Sequence, residues 1–304
     1  MITRRQALPL LAVGPLALRP QTALAQDWKP TYPELSIAII PSENISGTIE
    51  RYAPVADYLT KQLGVPVKLR VAADYAGVIE GQKAGNVHIA FYGAAAYARA
   101  WMVTNGAVEI FAGRLQADGS KGYRSVLYVK KDSQAKTIDD LKGKRIALVD
   151  PNSTSGTIAP TFFLQQDGKP LDTFFSGNIM AGSHENAVLA VVNGQVDGAF
   201  NSWNSDADST LARMIRKGMV KPDDVRIVWK SPLLAIGGYA YLANMPAALK
   251  TAIKTAIMEM PTRDKTTFDR ISDGQSTGFF EATHKDYEET VALNKFVDEL
   301  RKKK

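Results

Sequence analysis

From Leu35 the chain alternates short apolar runs with amphipathic ones in a regular order. LSIAII (35–40) is a continuous apolar run stopped by Pro41, the pattern of a strand buried on both faces. The polar loop SENIS follows, then TIERYAPVADYLTKQLG, apolar at helical spacing and closed by Gly64. VPVKLRVA alternates as a half-covered strand does, YAGVIEGQKAG has helical spacing, and VHIAFY (87–92) is a third buried run. Strand, helix, strand, helix, strand in this order predicts a mostly parallel sheet with helices on its faces. Ligands of such sheets sit beyond the carboxyl ends of the strands.

A second series begins near Tyr123. SVLYVKK reads as a strand, IDDLKG as a short helix, KRIALVD as a strand, TIAPTFFLQQ and ENAVLAVVNG as helices, and VDGAFN as a strand ending near Asn201. VRIVWKS and GGYAYLANM read as strands returning to the first unit, and from about 246 the chain reads as helical, through AALKTAIKTAIMEM and YEETVALNKFVDELRKKK. The expected fold class is therefore α/β with two lobes, residues 26–124 with 231–304 and residues 125–230. Two crossovers between them form a hinge over a ligand cleft.

Composition sets limits on this picture. With 304 residues, 45% of them apolar, the chain can fill one large core or two ordinary ones. Residues 1–25 read as an export signal: Arg4 and Arg5, the apolar stretch QALPLLAVGPLAL, then Ala23-Leu24-Ala25 ahead of a mature start at Gln26. The arginine pair fits either the general secretory or the twin-arginine route, and both lead to the periplasm. Removing the signal, with three arginines and no acids, lowers the net charge from +6 to +3, too little to point to nucleic acid. No other run of 18 apolar residues predicts a membrane span. There is no cysteine, which excludes disulfides, thiolate metal sites and a thiol nucleophile. The three histidines, His88, His184 and His284, are scattered without a carboxylate cluster, so neither a metal nor a cofactor is expected.

The candidate chemistry starts at DPNSTSG (150–156), between a predicted strand and a predicted helix. Ser153, Thr154 and Ser155 there admit two readings. One hydroxyl caps the helix and the others belong to the turn, or all three join the free helix amides in a cradle for a tetrahedral oxyanion. The lysine of a nucleotide-binding P-loop is missing. A serine hydrolase built on Ser153 or Ser155 with His184 is disfavoured by the absence of G-x-S-x-G and of an aspartate placed to orient the histidine. Tyr75, Tyr92, His184, Asn201, Trp203 and Asn204 all fall at strand ends or helix starts. Each alone reads more readily as core or cap than as a site, and it is their joint placement that points to a cleft.

In the order AADYAGVIEGQ, VHIAFYG, ADGSKGYRSVLYVKKDS, DPNSTSG, GSHENAVLAVVNGQVD and VWKSPLL, over about residues 35–245, the chain resembles the periplasmic phosphonate-binding proteins of ABC importers, in the phosphate, phosphite and phosphonate group. The resemblance implies a type II periplasmic binding protein fold, with an ABC permease and its ATPase as partners. It also implies that Ser153, Thr154, Ser155, His184, Tyr75 and Tyr92 surround the phosphorus oxyanion. Two departures bear on the ligand. Where members that bind an aminoalkyl phosphonate carry acids, this chain has Asn204 and Gly237. A buried ammonium without a carboxylate partner is costly. The resemblance thus implies phosphite, methylphosphonate or another small phosphonate without an amino group, its substituent lying against Trp203, Asn204 and Asn201. Asp206 and Asp208 are the acids near enough in sequence to stand in for the missing pair. A periplasmic sensor that hands its ligand-bound form to a receptor would share the same sequence features.

Overall fold

The computed structural model describes residues 28–303, so the export signal expected over 1–25 lies outside the described residues. The first apolar runs form strands β1 (Leu35–Ile39), β2 (Val67–Arg70) and β3 (Ile89–Tyr92), followed by β4 (Val108–Gln116). The chain then crosses through residues 117–121 into β5 (Gly122–Lys130), β6 (Arg145–Leu148), β7 (Gly177–Met180), β8 (Gly198–Trp203), β9 (Val225–Lys230) and the short β10 (Leu234–Ala235). It returns through Ile236 and Gly237 to β11 (Gly238–Leu242) and finally β12 (Ser276–Glu281).

Two mixed sheets result. One has the strand order β12-β4-β11-β3-β1-β2, the other β10-β5-β8-β6-β7 with β9 also paired to β5. Only β1, β2 and β3 in the first sheet, and β6, β7 and β8 in the second, run parallel to one another. The expectation of mostly parallel sheets is corrected by β4, β11 and β12, and by β5, β9 and β10, which join antiparallel. The second crossing inserts β11 between β3 and β4, antiparallel to both. β9 stays in the second sheet on β5 instead of returning to the first. The stretch after 246 is not all helix, because β12 forms the edge of the first sheet.

Both sheets are covered on both faces, which is why their strands read as continuous apolar runs. Along β1, Leu35, Ile37 and Ile39 face the helices Ile45–Leu63 and Ala247–Arg263, while Ala38 faces Tyr75–Lys83 and Ala94–Val103. In β5, Val126 and Tyr128 point to one core, Leu127 and Val129 to the other. Each fully buried Leu, Ile or Val contributes about 1.5–3 kcal/mol to this arrangement.

The first long helix starts at Ile45, three residues ahead of the predicted Thr48, because Asn44 caps it by accepting the Gly47 N–H at 2.8 Å. The C-terminal helix Glu288–Lys302 packs across the back of both lobes. Asn294 donates to the Ala95 carbonyl on one side, and Phe296 meets Phe162 edge to face, ring centres 5.0 Å apart, on the other.

Candidate ligand site

A cavity of about 150 Å³ lies between the two lobes, at the carboxyl ends of β1, β3, β6 and β8. This is smaller than the 300–1,000 Å³ typical of drug-sized ligands, so it suits a small molecule. At one end sits the DPNSTSG turn. β6 ends at Leu148, and the chain enters a helix whose first turn, Thr154–Ile158, is of the wide π type before the regular Ala159–Gln166. Gly156 is required there: a Cβ would lie 2.4 Å from the Val149 side chain.

The three hydroxyls have separate duties. Ser153 caps the turn by accepting the Gly156 N–H at 3.2 Å, and its Oγ lies 3.3 Å from His184 Nε2. Thr154 Oγ1 accepts the Ala95 N–H at 2.8 Å, reaching across to the start of the helix Ala94–Val103 in the other lobe. Ser155 and Thr154 both flank the Tyr123 phenol, and their hydrogen bonding offsets part of the rise in its pKa that burial causes. The cap is thus at Ser153, and Thr154 and Ser155 border the cavity beside it. The first amides of the turn have no intrahelical acceptors and favour negative charge.

His184 begins the helix His184–Val192, and its N–H donates to the Ser42 carbonyl of the other lobe at 3.0 Å. Asn201 fixes its ring. The Asn201 amide nitrogen donates to the His184 carbonyl at 2.9 Å, so its oxygen faces His184 Nδ1 at 3.1 Å while also taking the Ser202 N–H. An amide oxygen only accepts, which places the proton on Nδ1 and leaves the Nε2 lone pair toward Ser153 and the cavity. Burial lowers the His184 pKa to about 4, so the ring is neutral at physiological pH. The partner of His184 is a neutral amide, not a carboxylate, which is not the arrangement of a Ser-His-Asp nucleophile.

Tyr75 borders the cavity beside Ser153. Its N–H donates to Asp150 Oδ2 at 3.3 Å, and burial holds its phenol far above the usual tyrosine range. Tyr92 also borders it, but its hydroxyl is used inside the lobe, donating to Gln82 Oε1 at 3.0 Å. Of the expected pair of phenols, the one at Tyr92 is therefore directed into the core, and Tyr123, which the sequence did not single out, stands at the hydroxyls instead. Asn201 is likewise not in the cavity wall; it lies behind His184.

The other end of the cavity contains Trp203 and Asn204 together with residues not anticipated from sequence: Arg51, Arg114, Arg213, Tyr52 and Tyr239. The Trp203 indole N–H donates to Asp206 at 3.0 Å, and Lys230 Nζ lies 3.5 Å from the ring centre. Asp208 takes Arg114 Nη2 at 3.1 Å and the Asn204 amide on the same oxygen. Neither acid that might have replaced the missing pair is free. Gly237 approaches the Tyr92–Gly93 backbone so closely that a Cβ would lie 2.3 Å from the Tyr92 carbonyl oxygen, leaving no room for a side chain there.

Comparison with known proteins places this site in context. Residues 37–287 match the family model described as ABC transporter, phosphonate, periplasmic substrate-binding protein. The chain is 33% identical over 293 residues to the phosphate-import protein PhnD of Mycolicibacterium smegmatis, covering 89% of this chain and 87% of that one. It is 34% identical over 223 residues to the phosphonates-binding periplasmic protein of Escherichia coli, covering 72% and 64%. Among solved structures, a binding protein component of an ABC phosphonate transporter from Pseudomonas aeruginosa superposes with a TM-score of 0.76 at 28% identity, covering 87% and 86% of the two chains. PhnD1 from Prochlorococcus marinus, solved with methylphosphonate, has the same fold at a TM-score of 0.75 and 20% identity, over 87% and 98%.

Proposed function

Since this chain belongs to the family of phosphonate periplasmic substrate-binding proteins of ABC transporters, we propose that it captures a small phosphorus oxyanion in the periplasm and delivers it to an ABC permease driven by its ATPase. The family is one of transport proteins, not enzymes. Phosphite, methylphosphonate or another phosphonate without an amino group is preferred over 2-aminoethylphosphonate. The observation that carries this reading is the convergence of Ser153, Thr154, Ser155, Tyr75, Tyr123 and His184 on one end of the cavity between the lobes. The oxyanion accepts from the hydroxyls and helix amides. Such charge-assisted bonds are shorter and stronger than neutral ones.

The preference against an ammonium rests on the opposite end. Asp208 is already neutralised by Arg114, Asp206 is engaged with Trp203, and position 237 admits no side chain. A ligand ammonium would meet three guanidinium groups there and a single carboxylate, Asp208, already paired with Arg114.

Calorimetry with phosphite, methylphosphonate, phosphate and 2-aminoethylphosphonate tests the reading. At least one of the first three is expected to bind below about 100 μM, more than about 5 kcal/mol of binding energy, and more tightly than the amino compound. Thr154→Ala and Ser155→Ala each lose about 1.5–3 kcal/mol of affinity for that ligand. Unchanged affinity with a lowered melting temperature would leave those hydroxyls a purely structural role.

A further inference from the structure

The donor groups at the second end of the cavity outnumber their acceptors. Three guanidinium groups line it, Arg51, Arg114 and Arg213, against one carboxylate, Asp208. Arg213 is satisfied by Asp273, which takes its Nε at 2.9 Å and its Nη2 at 2.8 Å. Arg51 gives Nη2 to the Ile271 carbonyl and to Asp273, and its Nη1 lies 3.6 Å from Glu43, yet its Nε is buried without a partner. The Tyr239 hydroxyl, on a fully buried side chain in the cavity wall, also has no partner. Arg114 donates one hydrogen bond, to Asp208, among the described residues, although a guanidinium carries five N–H groups.

Buried donors without acceptors are costly, and they persist where a ligand completes them. Desolvation by burial, with Arg51 and Arg213 close by, lowers the pKa of Arg114, so an added negative charge would relieve rather than strain this end. Asp208 supplies one such charge, through the oxygen that takes both Arg114 and Asn204.

We propose that the ligand carries a carboxylate at its second end, received by Arg114, Arg51 and Tyr239 while its phosphonate lies in the Ser153–Ser155 turn. The ligand class is a short phosphonocarboxylate. This rests on the function proposed above and adds the chemistry of the substituent. A planar carboxylate matches the parallel N–H groups of a guanidinium, which an aliphatic or hydroxyl substituent does not.

The test is calorimetric titration of the mature chain with methylphosphonate, phosphonoacetate, 3-phosphonopropionate and 2-aminoethylphosphonate. One of the two carboxylated ligands is expected to bind at least about tenfold more tightly than methylphosphonate, with the amino compound weakest. Tyr239→Phe, which removes a single hydroxyl, and Arg114→Gln each narrow the ratio between the carboxylated ligand and methylphosphonate to below about threefold. Methylphosphonate binding as tightly as both carboxylated ligands overturns the inference while leaving the oxyanion reading intact. So does a ratio that survives both substitutions. Binding of none of the four, nor of phosphite or phosphate, overturns both. The ranking in the unsubstituted protein decides the matter even if Arg114→Gln does not fold.

Discussion

At the scale of single residues, His184 is the group most sensitive to conditions. Its ring is neutral because burial lowers its pKa to about 4, against about 6.5 in an unfolded chain. Between these values the unfolded chain holds a proton that the folded one refuses. The contribution to stability is therefore fully present above about pH 6.5 and is lost as pH falls toward 4, on the order of 3 kcal/mol in all. Thermal melts of the ligand-free protein across that window should show a falling melting temperature, and His184→Gln should flatten the dependence; an equally steep curve in the variant would place the titration elsewhere. The DPNSTSG hydroxyls and His184 were legible in sequence because a strand end, a cap and a helix start are contiguous. The arginines were not, since Arg51 and Arg213 on helices, and Arg114 near the end of β4, read as solvated charges. Arg51 did carry a signal: it shares the helical face of Val55 and Leu59, both buried. Tyr123 was hidden at the head of an apolar strand, where it reads as core.

At the scale of elements, what sequence conveyed best were strands covered on both faces and helices with distinct caps. The helix Ala94–Val103 gives no amphipathic signal, because AAAYARAWMV is apolar nearly all round and has no capping side chain at Gly93. β12 was absorbed into the helical tail because STGFFE alternates too briefly to show a period. Antiparallel pairing at β4 and β11 follows from the crossings, a tertiary property that local periodicity does not encode. The second crossing gives a direct test. Gly237→Ala drives a methyl group into the Tyr92 carbonyl, and a cost of about 1–3 kcal/mol is expected from the forced shift of the segment. Chemical denaturation measures it; a loss under about 0.5 kcal/mol, the range of an ordinary surface change, would mean the segment has slack.

At the scale of the whole molecule, the two lobes touch on both sides of the cavity. In front, Lys217 bridges Glu43 at 2.7 Å and Glu185 at 3.3 Å, and Asp273 is shared by Arg51, Arg213 and Arg216, whose guanidiniums outweigh the effect of burial and hold it at about 2. Behind, the C-terminal helix binds both lobes. A ligand shifts a hinge only by the contacts it makes in one state and not in the other. Phe296→Ala weakens the rear packing that accompanies this arrangement. A loss of about 1 kcal/mol from the arrangement lowers apparent affinity roughly fivefold without touching the ligand. Titration with the ligand that binds best checks this, and unchanged affinity would free the rear helix of any part in closure.

The chain's lack of cysteine has a practical side. Leu233 is 59% exposed, beside Gly122, where one crossing enters the second sheet and close to where the other leaves it. A single thiol introduced there would be the only one in the protein, so an environment-sensitive dye attached to it, beside both crossings, is expected to report the proposed ligand capture as an optical signal.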